Sequence, residues 1–265
     1  AANNALLPLF LFPAFFAMAL ARLPAGQREP VVGFFEAIGN AMLIVVDWVL
    51  KAAPVGVLAL AFAVGARAGA SAIGALVHYV LIVSSAGLAA WLLAYPLARF
   101  FGKVGLARFA RALLPAQAVA LSTQSSLASL PTMLSATAEL GIKDSVARVS
   151  LPIAVAIFRV TSPAMNLAVA IYVAHWMGID LSASALFAGA AVAAVTTVGS
   201  VSLPGQVSFL TSITPICVAM GVPIEPLALL VAVEMIPDLV RTVGNVTMDV
   251  AATSVVARLD NGKDS

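Results

Sequence analysis

Residues 238–249 read Asp-Leu-Val-Arg-Thr-Val-Gly-Asn-Val-Thr-Met-Asp and lie inside an apolar stretch, residues 226–257. The polar side chains that would share one face of a helix here are Glu234, Asp238, Arg241, Asn245 and Asp249. They fall within an arc of about 80° on a helix that turns about 100° per residue. Because lipid solvates charges poorly, such residues usually face the interior of a bundle. The stretch predicts a membrane helix with a functional polar stripe; the alternative is a structural stripe in which Asp238 simply pairs with Arg241.

The composition of the whole chain also indicates a membrane protein. Hydrophobic residues make up 62% of the 265 residues and charged residues 10%, whereas soluble domains carry about 25% charged residues. The net charge of +2 suggests no nucleic-acid partner, and the single Cys217 excludes an intrachain disulfide. No nucleotide-binding motif and no G-x-S-x-G motif is present, so we expect neither an ATP-driven pump nor an enzyme, and no cofactor.

Several apolar segments are long enough to cross about 30 Å of hydrocarbon as helices. The first three cover residues 6–23, 37–64 and 72–101. A fourth, residues 151–177, carries Arg159 and Thr-Ser-Pro at 161–163 in its middle. A helix broken there needs protein or a water-filled cavity to receive its backbone groups.

Two further regions each consist of two short apolar pieces around a small polar tip. The first covers about residues 112–140, with Ser-Thr-Gln-Ser-Ser at 122–126, and the second about residues 183–221, with Gly-Ser-Val-Ser-Leu-Pro-Gly at 199–205. Paired interrupted segments are typical of the binding site of a transporter. We therefore predict an all-α membrane protein of spanning helices plus two re-entrant helical hairpins.

The distribution of Lys and Arg predicts the orientation in the membrane. These residues cluster in alternate connections, which we place in the cytoplasm: Arg22, Arg28, Arg99, Lys103, Arg108, Arg111, Lys143, Arg148, Arg258 and Lys263. The first hairpin then enters the membrane from the cytoplasm and the second from the outside.

The polar stripe predicts the chemistry of the ligand. Arg241 offers a planar fork for a carboxylate, and Asp238 can accept an ammonium group. Asn245 suits an α-carboxylate, and Asp249 is a hard oxygen ligand for an alkali cation or a proton. Together they indicate a small molecule with one ammonium group and two carboxylates.

The hairpin tips add candidate substrate contacts. Ser125 and Ser126 stand where the N-terminus of a half-helix would begin, and such ends attract anions. Gly199, Pro204 and Gly205 would let the second tip fold closely over a ligand. Alone these runs would be ordinary turns, but they occur twice beside the charged stripe.

These motifs resemble those of the dicarboxylate/amino acid:cation symporters, which include the glutamate and aspartate transporters. The resemblance covers nearly the whole chain, including Ala-Ala-Pro-Val-Gly-Val at 52–57. It implies a glutamate-transporter-like fold, a multi-pass protein of the cell (inner) membrane, a homotrimer in the lipid bilayer, and an elevator-type mechanism.

The resemblance also implies a division of the chain. Residues 1–71 would hold scaffold-side helices, namely the end of the fourth helix and the fifth helix, and residues 72–265 the transport domain. This domain would contain the sixth helix, the two hairpins, a broken seventh helix over about 145–177 and an eighth helix over about 226–257. Because the chain begins with Ala1 in apolar sequence, we expect that most of the N-terminal helices are absent from it.

Site roles follow from the resemblance residue by residue. Arg241 would bind the side-chain carboxylate of the substrate and Asp238 its amino group. Thr242 and Asn245 would add polar contacts, and Ser126 a main-chain contact. The second tip would be the extracellular gate, and Asp249 would belong to a sodium site.

One motif departs from the family pattern. The family's seventh helix usually carries Asn-Met-Asp, which builds sodium sites, and here the aligned residues are Phe158, Arg159 and Val160. We expect Arg159 to replace one or more sodium ions as a permanent cation. Glu234 or Asp249 would still be able to carry a proton, so the coupling ion is Na⁺ or H⁺.

The leading interpretation is a secondary active transporter of aspartate or glutamate with altered or absent sodium coupling. A proton-coupled C4-dicarboxylate transporter is the first alternative, although Asp238 would then lack an ammonium partner. A transport-dead sensor or channel of the same fold is the second.

Overall fold

The computed structural model describes the backbone of residues 15–199 and 205–261, and within these ranges it leaves undescribed many side chains of residues 42–73 and those of residues 205–208. Every regular element in the described ranges is a helix. The all-α prediction is therefore confirmed.

The helices follow one another with short connections. Residues 15–21 are helical, and the first helix with both ends described, α1, spans Ala25–Leu92 and is continued by Ala94–Pro96 and a π-helical turn, Leu97–Phe101. The next are α2 (Leu106–Thr123), α3 (Leu130–Glu139), α4 (Asp144–Ile153, extended by the π-helical turn Ala154–Phe158) and α5 (Thr161–Trp176). The last are α6 (Ala183–Gly199), α7 (Gly205–Met220), α8 (Leu227–Leu230, followed by the 3₁₀ turn Val231–Val233) and α9 (Met235–Asn261).

The sequence predicts a connection between the second and third spanning segments, but the structure shows a continuous helix there. Residues 65–71 were expected to be a connection, but they are helical and form part of α1. They contain three alanines and no proline, and alanine has the highest helix propensity. The chain divides into two compact units after Gly56; the domain boundary between residues 71 and 72 stays a prediction.

Among the residues that the structure describes, two helical stretches are long and apolar enough to cross a membrane. They are Gly74–Phe101 and Asp144–Trp176, while Ala183–Val198 and Phe209–Met220 are shorter apolar helices. The second stretch contains the predicted break, because Arg159 has φ −21° and ψ 63° and α5 begins only at Thr161. The helix is therefore interrupted at residues 159 and 160, directly before the polar residues Thr161 and Ser162.

Two pairs of short helices form hairpins. Helices α2 and α3 pack against each other, as do α6 and α7, and α9 contacts α2, α4 and α5. The first hairpin begins at Leu106, six residues before the predicted start, because Arg108 and Arg111 fit the helix as well as the apolar residues beside them do. The re-entry of both hairpins into a membrane stays a prediction.

The second unit contains two apolar cores. One is built from α5, α6 and α7 with Tyr79 and Val83 of α1, and the other from α2, α3, α4 and α9. The polar residues of α9 lie between residues that belong to these cores, since Leu230 joins the first core and Val243 the second. The segment that carries the stripe therefore contributes residues to both apolar cores.

Gly244 permits the close approach of α9 to the break. A Cβ atom there would lie 2.5 Å from Thr161 Cγ2 and 3.1 Å from Trp91 Cβ. The first distance is shorter than Cβ contacts in proteins, and the second would require Trp91 to shift. Glycine at this position therefore lets the middle of α9 lie directly beside the first residue of α5.

Candidate functional site

The five polar residues of the predicted stripe are all buried in the structure. Glu234 and Asp249 are 0% exposed, Asn245 is 1% exposed, Asp238 4% and Arg241 5%. Four of them belong to α9, and Glu234 directly precedes its first residue. Burial of so many charges has a large desolvation cost unless they are paired or bind a ligand.

Arg241 forms an ion-pair network with the two carboxylates nearest to it on the chain. Its Nη1 atom lies 2.7 Å from Glu234 Oε1 and 2.9 Å from Asp238 Oδ1. The Asp238–Arg241 pair of the structural alternative therefore exists. It does not occupy the whole guanidinium group, because both contacts use Nη1.

The other edge of the Arg241 guanidinium has no acceptor among the described residues. Its Nε and Nη2 atoms are buried and make no hydrogen bond there. Nε and Nη2 lie on one edge of the planar guanidinium group, in the geometry that binds both oxygens of a carboxylate. Since buried donors in proteins are nearly always satisfied, this edge indicates a place for an anionic ligand.

Tyr79 joins the network from α1. Its hydroxyl donates to Glu234 Oε2 over 3.1 Å, and the ring is fully buried. Glu234 is thereby held between Tyr79 and Arg241. No sequence signal identified Tyr79 as a site residue, because it lies 155 positions from Glu234 in an apolar helix.

Asn245 links α9 to the break before α5. Its Oδ1 accepts from the Thr161 backbone N–H at 3.0 Å, and its Nδ2 donates to Ser162 Oγ at 3.2 Å. The Thr161 hydroxyl lies 2.6 Å from Asn245 Oδ1 and 2.8 Å from the Arg241 carbonyl oxygen, and it donates to one of them at a time. Asn245 therefore satisfies a free N–H group of the helix start.

The predicted substrate contacts of Asn245 and Thr242 stay predictions. Asn245 keeps a second N–H on Nδ2 that a ligand carboxylate could accept from. Thr242 donates its hydroxyl to the Asp238 carbonyl oxygen at 2.9 Å. Thr161 and Ser162 were not among the predicted site residues, although both lie in the polar interruption of the apolar run 151–177.

Arg159 lies in the break and faces the charged residues of α9. It is buried, 7% exposed, and interacts electrostatically with Asp238, Asp249 and Arg241. Two acidic residues of the stripe, Asp238 and Asp249, therefore act on the Arg159 guanidinium group. Its role as a substitute for sodium stays a prediction.

Asp249 also carries buried polar atoms that lack a hydrogen-bond partner among the described residues. Both carboxylate oxygens make no hydrogen bond among the described residues, and the opposite charge acting on the carboxylate is that of Arg159. A carboxylate in this position fits a proton or a hard cation such as Na⁺. Within the described part of the chain, no cluster of three or more His, Cys, Asp or Glu side chains could hold a metal ion.

The first hairpin tip differs from the prediction. Ser125 and Ser126 do not start a regular half-helix, because α3 begins at Leu130. Ser125 instead closes a turn of its own: its Oγ accepts from the Ala128 N–H at 3.2 Å, and its carbonyl oxygen accepts from the Ser129 N–H at 3.2 Å. Ser126 is buried at this tip.

The second tip is only partly described. Gly199 is the last residue of α6 and Gly205 the first of α7. Pro204 and the rest of residues 200–204 lie outside the described residues. The prediction that this tip closes over a ligand remains a prediction.

Comparison with known proteins identifies the chain's relatives. The sequence model of the sodium:dicarboxylate symporter family matches residues 1–259. The chain is 30% identical to the proton/glutamate-aspartate symporter of Escherichia coli (strain K12), over 99% of this chain and 60% of that protein. It is 30% identical to the proton/sodium-glutamate symport protein of Bacillus subtilis (strain 168), over 96% of this chain and 58% of the relative. It is 26% identical to the C4-dicarboxylate transport protein of Laribacter hongkongensis (strain HLHK9), over 100% of this chain and 59% of the relative. The chain thus spans less than two thirds of the length of these relatives.

Proposed function

The chain belongs to the sodium:dicarboxylate symporter family, and we propose that it is a secondary active transporter of an acidic amino acid, aspartate or glutamate. Its family consists of transporters, so it is a membrane protein. We place it in the cell (inner) membrane as a multi-pass homotrimer in which residues 72–265 move as the transport domain of an elevator-type cycle. The family and the names of the relatives support this proposal.

The observation that carries the substrate class is the buried open edge of Arg241. Its Nε and Nη2 donors make no hydrogen bond among the described residues, while Nη1 is held by Glu234 and Asp238. This arrangement keeps the guanidinium plane fixed before a ligand arrives, so little conformational entropy is lost on binding. A ligand carboxylate would dock on this edge through two parallel hydrogen bonds.

The charge of the site favours a ligand that also carries an ammonium group. Glu234, Asp238 and Asp249 supply three carboxylates, and Arg159 and Arg241 supply two guanidinium groups, so the formal net charge is −1. A dicarboxylate would add two negative charges to this buried site. An acidic amino acid adds one, and its ammonium group would lie near Asp238.

The same charge count implies a coupling ion. With aspartate bound, the site would hold two uncompensated negative charges, which are costly in a low-dielectric interior. Asp249 and Glu234 are positioned to accept one proton, or Asp249 to bind one Na⁺. We propose that Arg159 replaces part of the cation charge that ordinary members take up as sodium, and that a proton carries the rest.

A C4-dicarboxylate transporter is the second candidate, because one of the relatives bears that name. Succinate and aspartate differ by the ammonium group, so their competition decides between the candidates. We expect succinate to compete with labelled aspartate at least about tenfold less well than unlabelled aspartate does, which corresponds to about 1.4 kcal/mol. The measurement is displacement of labelled aspartate from the purified protein.

The control for this comparison is Asp238→Asn, which removes the charge with little change in shape. If Asp238 recognises the ammonium group, the variant loses most of the preference for aspartate over succinate. Equal competition by both compounds in the wild type would replace the amino-acid proposal with the dicarboxylate one. Counterflow of labelled aspartate in liposomes separates a carrier from a transport-dead sensor.

A further inference from the structure

A second candidate site lies at the opposite end of α9 from Glu234. A cavity of about 230 Å³ opens between the end of α1, the start of α2, the end of α3 and the last turns of α9. Its lining includes Lys103, Arg108, Ser254 and Arg258. The cavity is smaller than the roughly 300–1,000 Å³ typical of sites for drug-sized ligands, so it suits a small chemical group.

The lining of this cavity is strongly cationic. Lys103, Arg108 and Arg258 contribute three positive charges, and no Asp or Glu is found among the lining residues that the structure describes. The α2 helix also begins here, with Gly105 as an N-cap that supplies no side-chain hydrogen bond and no acidic residue in the first turn. The partial positive charge of the helix start therefore adds to that of the side chains.

The two arginines have a structural role that fixes them in place. Arg108 donates through Nη2 to the carbonyl oxygen of Glu139, and Arg258 through Nη1 to that of Phe101 at 3.1 Å. Each carbonyl belongs to the last residue of a helical segment, so these contacts cap helix ends. Each contact uses one of the five N–H donors of a guanidinium group.

Among the described residues, no comparable helix-capping contact accounts for a lysine at position 103. Its backbone has φ 57°, in the left-handed region that favours glycine. The turn around it is a helix end in which the Val104 N–H donates to the Ala98 carbonyl oxygen at 3.0 Å, and glycine is the usual residue at that left-handed position. Lys103 is exposed, and within the described part of the chain its ammonium group makes no hydrogen bond or ion pair. Lysine therefore occupies a position at which glycine would be less strained.

We propose that this cavity binds a phosphate group, with Lys103 as its main ligand and Arg108 and Arg258 as supporting donors. The phosphate would come from the headgroup of an anionic lipid or from a soluble phosphate. The site is independent of the substrate stripe and of the proposed solute. The predicted orientation places it at the cytoplasmic side, where anionic lipids attract basic residues.

The test compares stability and binding in Lys103→Gly. Because glycine relieves the left-handed strain, the variant should unfold at the same temperature as the wild type or a higher one. Its binding of short-chain phosphatidylglycerol, measured by titration of the purified protein in detergent, should weaken about fivefold or more. A residue with a purely structural role would not raise stability and lower binding in the same variant.

Arg99→Gln is the matched control, because Arg99 is an exposed cation in the same segment but does not line the cavity. It should bind phosphatidylglycerol as the wild type does. Competition by inorganic phosphate at equal concentration would identify a soluble phosphate as the ligand, and its failure to compete would identify the lipid headgroup. The proposal is overturned if the wild type does not bind either probe, if Lys103→Gly binds like the wild type, or if Arg99→Gln loses as much binding.

Discussion

Replacing Arg241 by cysteine should abolish most of the affinity for aspartate and glutamate while affecting neutral ligands much less. In the proposed complex, the open edge formed by Nε and Nη2 binds the side-chain carboxylate of the ligand. Removing one partner of a buried charge pair costs about 2–4 kcal/mol, or roughly 30-fold to 1,000-fold in dissociation constant. Equilibrium binding of labelled aspartate and of labelled serine to the purified variant measures the two losses.

The comparison of two ligands in one variant is needed because Arg241 also stabilises the fold. Its removal leaves Glu234 and Asp238 buried without the cation that pairs with them, which destabilises the protein by itself. Serine binding then reports how much folded protein remains. Equal losses for serine and aspartate would contradict the assignment of Arg241 as the carboxylate-selecting residue.

Replacing Arg159 by methionine should weaken aspartate binding in sodium-free buffer by about tenfold or more. Arg159 is buried and interacts electrostatically with Asp238 and Asp249. Without its charge the site keeps three carboxylates and one guanidinium group, and a ligand with a net negative charge would be repelled. The measurement is a titration of aspartate at several sodium concentrations.

Arg159→Lys is the control that separates charge from helix capping. A lysine keeps the positive charge but lacks the planar fork that can bind several carbonyl oxygens at the break. If Arg159 acts as a permanent cation, the lysine variant should retain most of the affinity. If both variants lose affinity equally, Arg159 acts as a structural brace, and a steep sodium dependence in the wild type would also contradict its role as a substitute cation.

The stripe on α9 was predictable from the sequence because its polar residues recur at helical spacing in an apolar background. The break at Arg159 was predictable for a related reason, since Thr-Ser-Pro at 161–163 interrupts an apolar run. Both predictions rest on residues near one another in the chain. Local periodicity carries this information without knowledge of the tertiary contacts.

The partners of the stripe were not predictable in the same way. Tyr79 contacts Glu234 across 155 positions, and Thr161 contacts Asn245 across 84. A tyrosine or threonine in an apolar helix has the same sequence signal whether it faces lipid, a core or a site. Only the packing of α1 and α5 against α9 distinguishes these possibilities.

Helix ends were also predicted imprecisely. Residues 65–71 continue α1 because their alanines favour a helix despite two glycines. At the first tip, Ser125 closes a turn before α3 rather than starting the helix. Small polar residues support turns and helix starts equally well, so the sequence alone did not decide between them.

The central claim is that the buried stripe of α9 binds an acidic amino acid with little need for sodium. Equilibrium binding of labelled aspartate to the purified wild-type protein, in sodium-containing and in sodium-free buffer, tests it most directly. We predict saturable binding in both buffers, with dissociation constants that differ by less than about threefold, or roughly 0.7 kcal/mol. Absence of saturable aspartate binding in both buffers, or saturable binding only in the presence of sodium, would contradict the account.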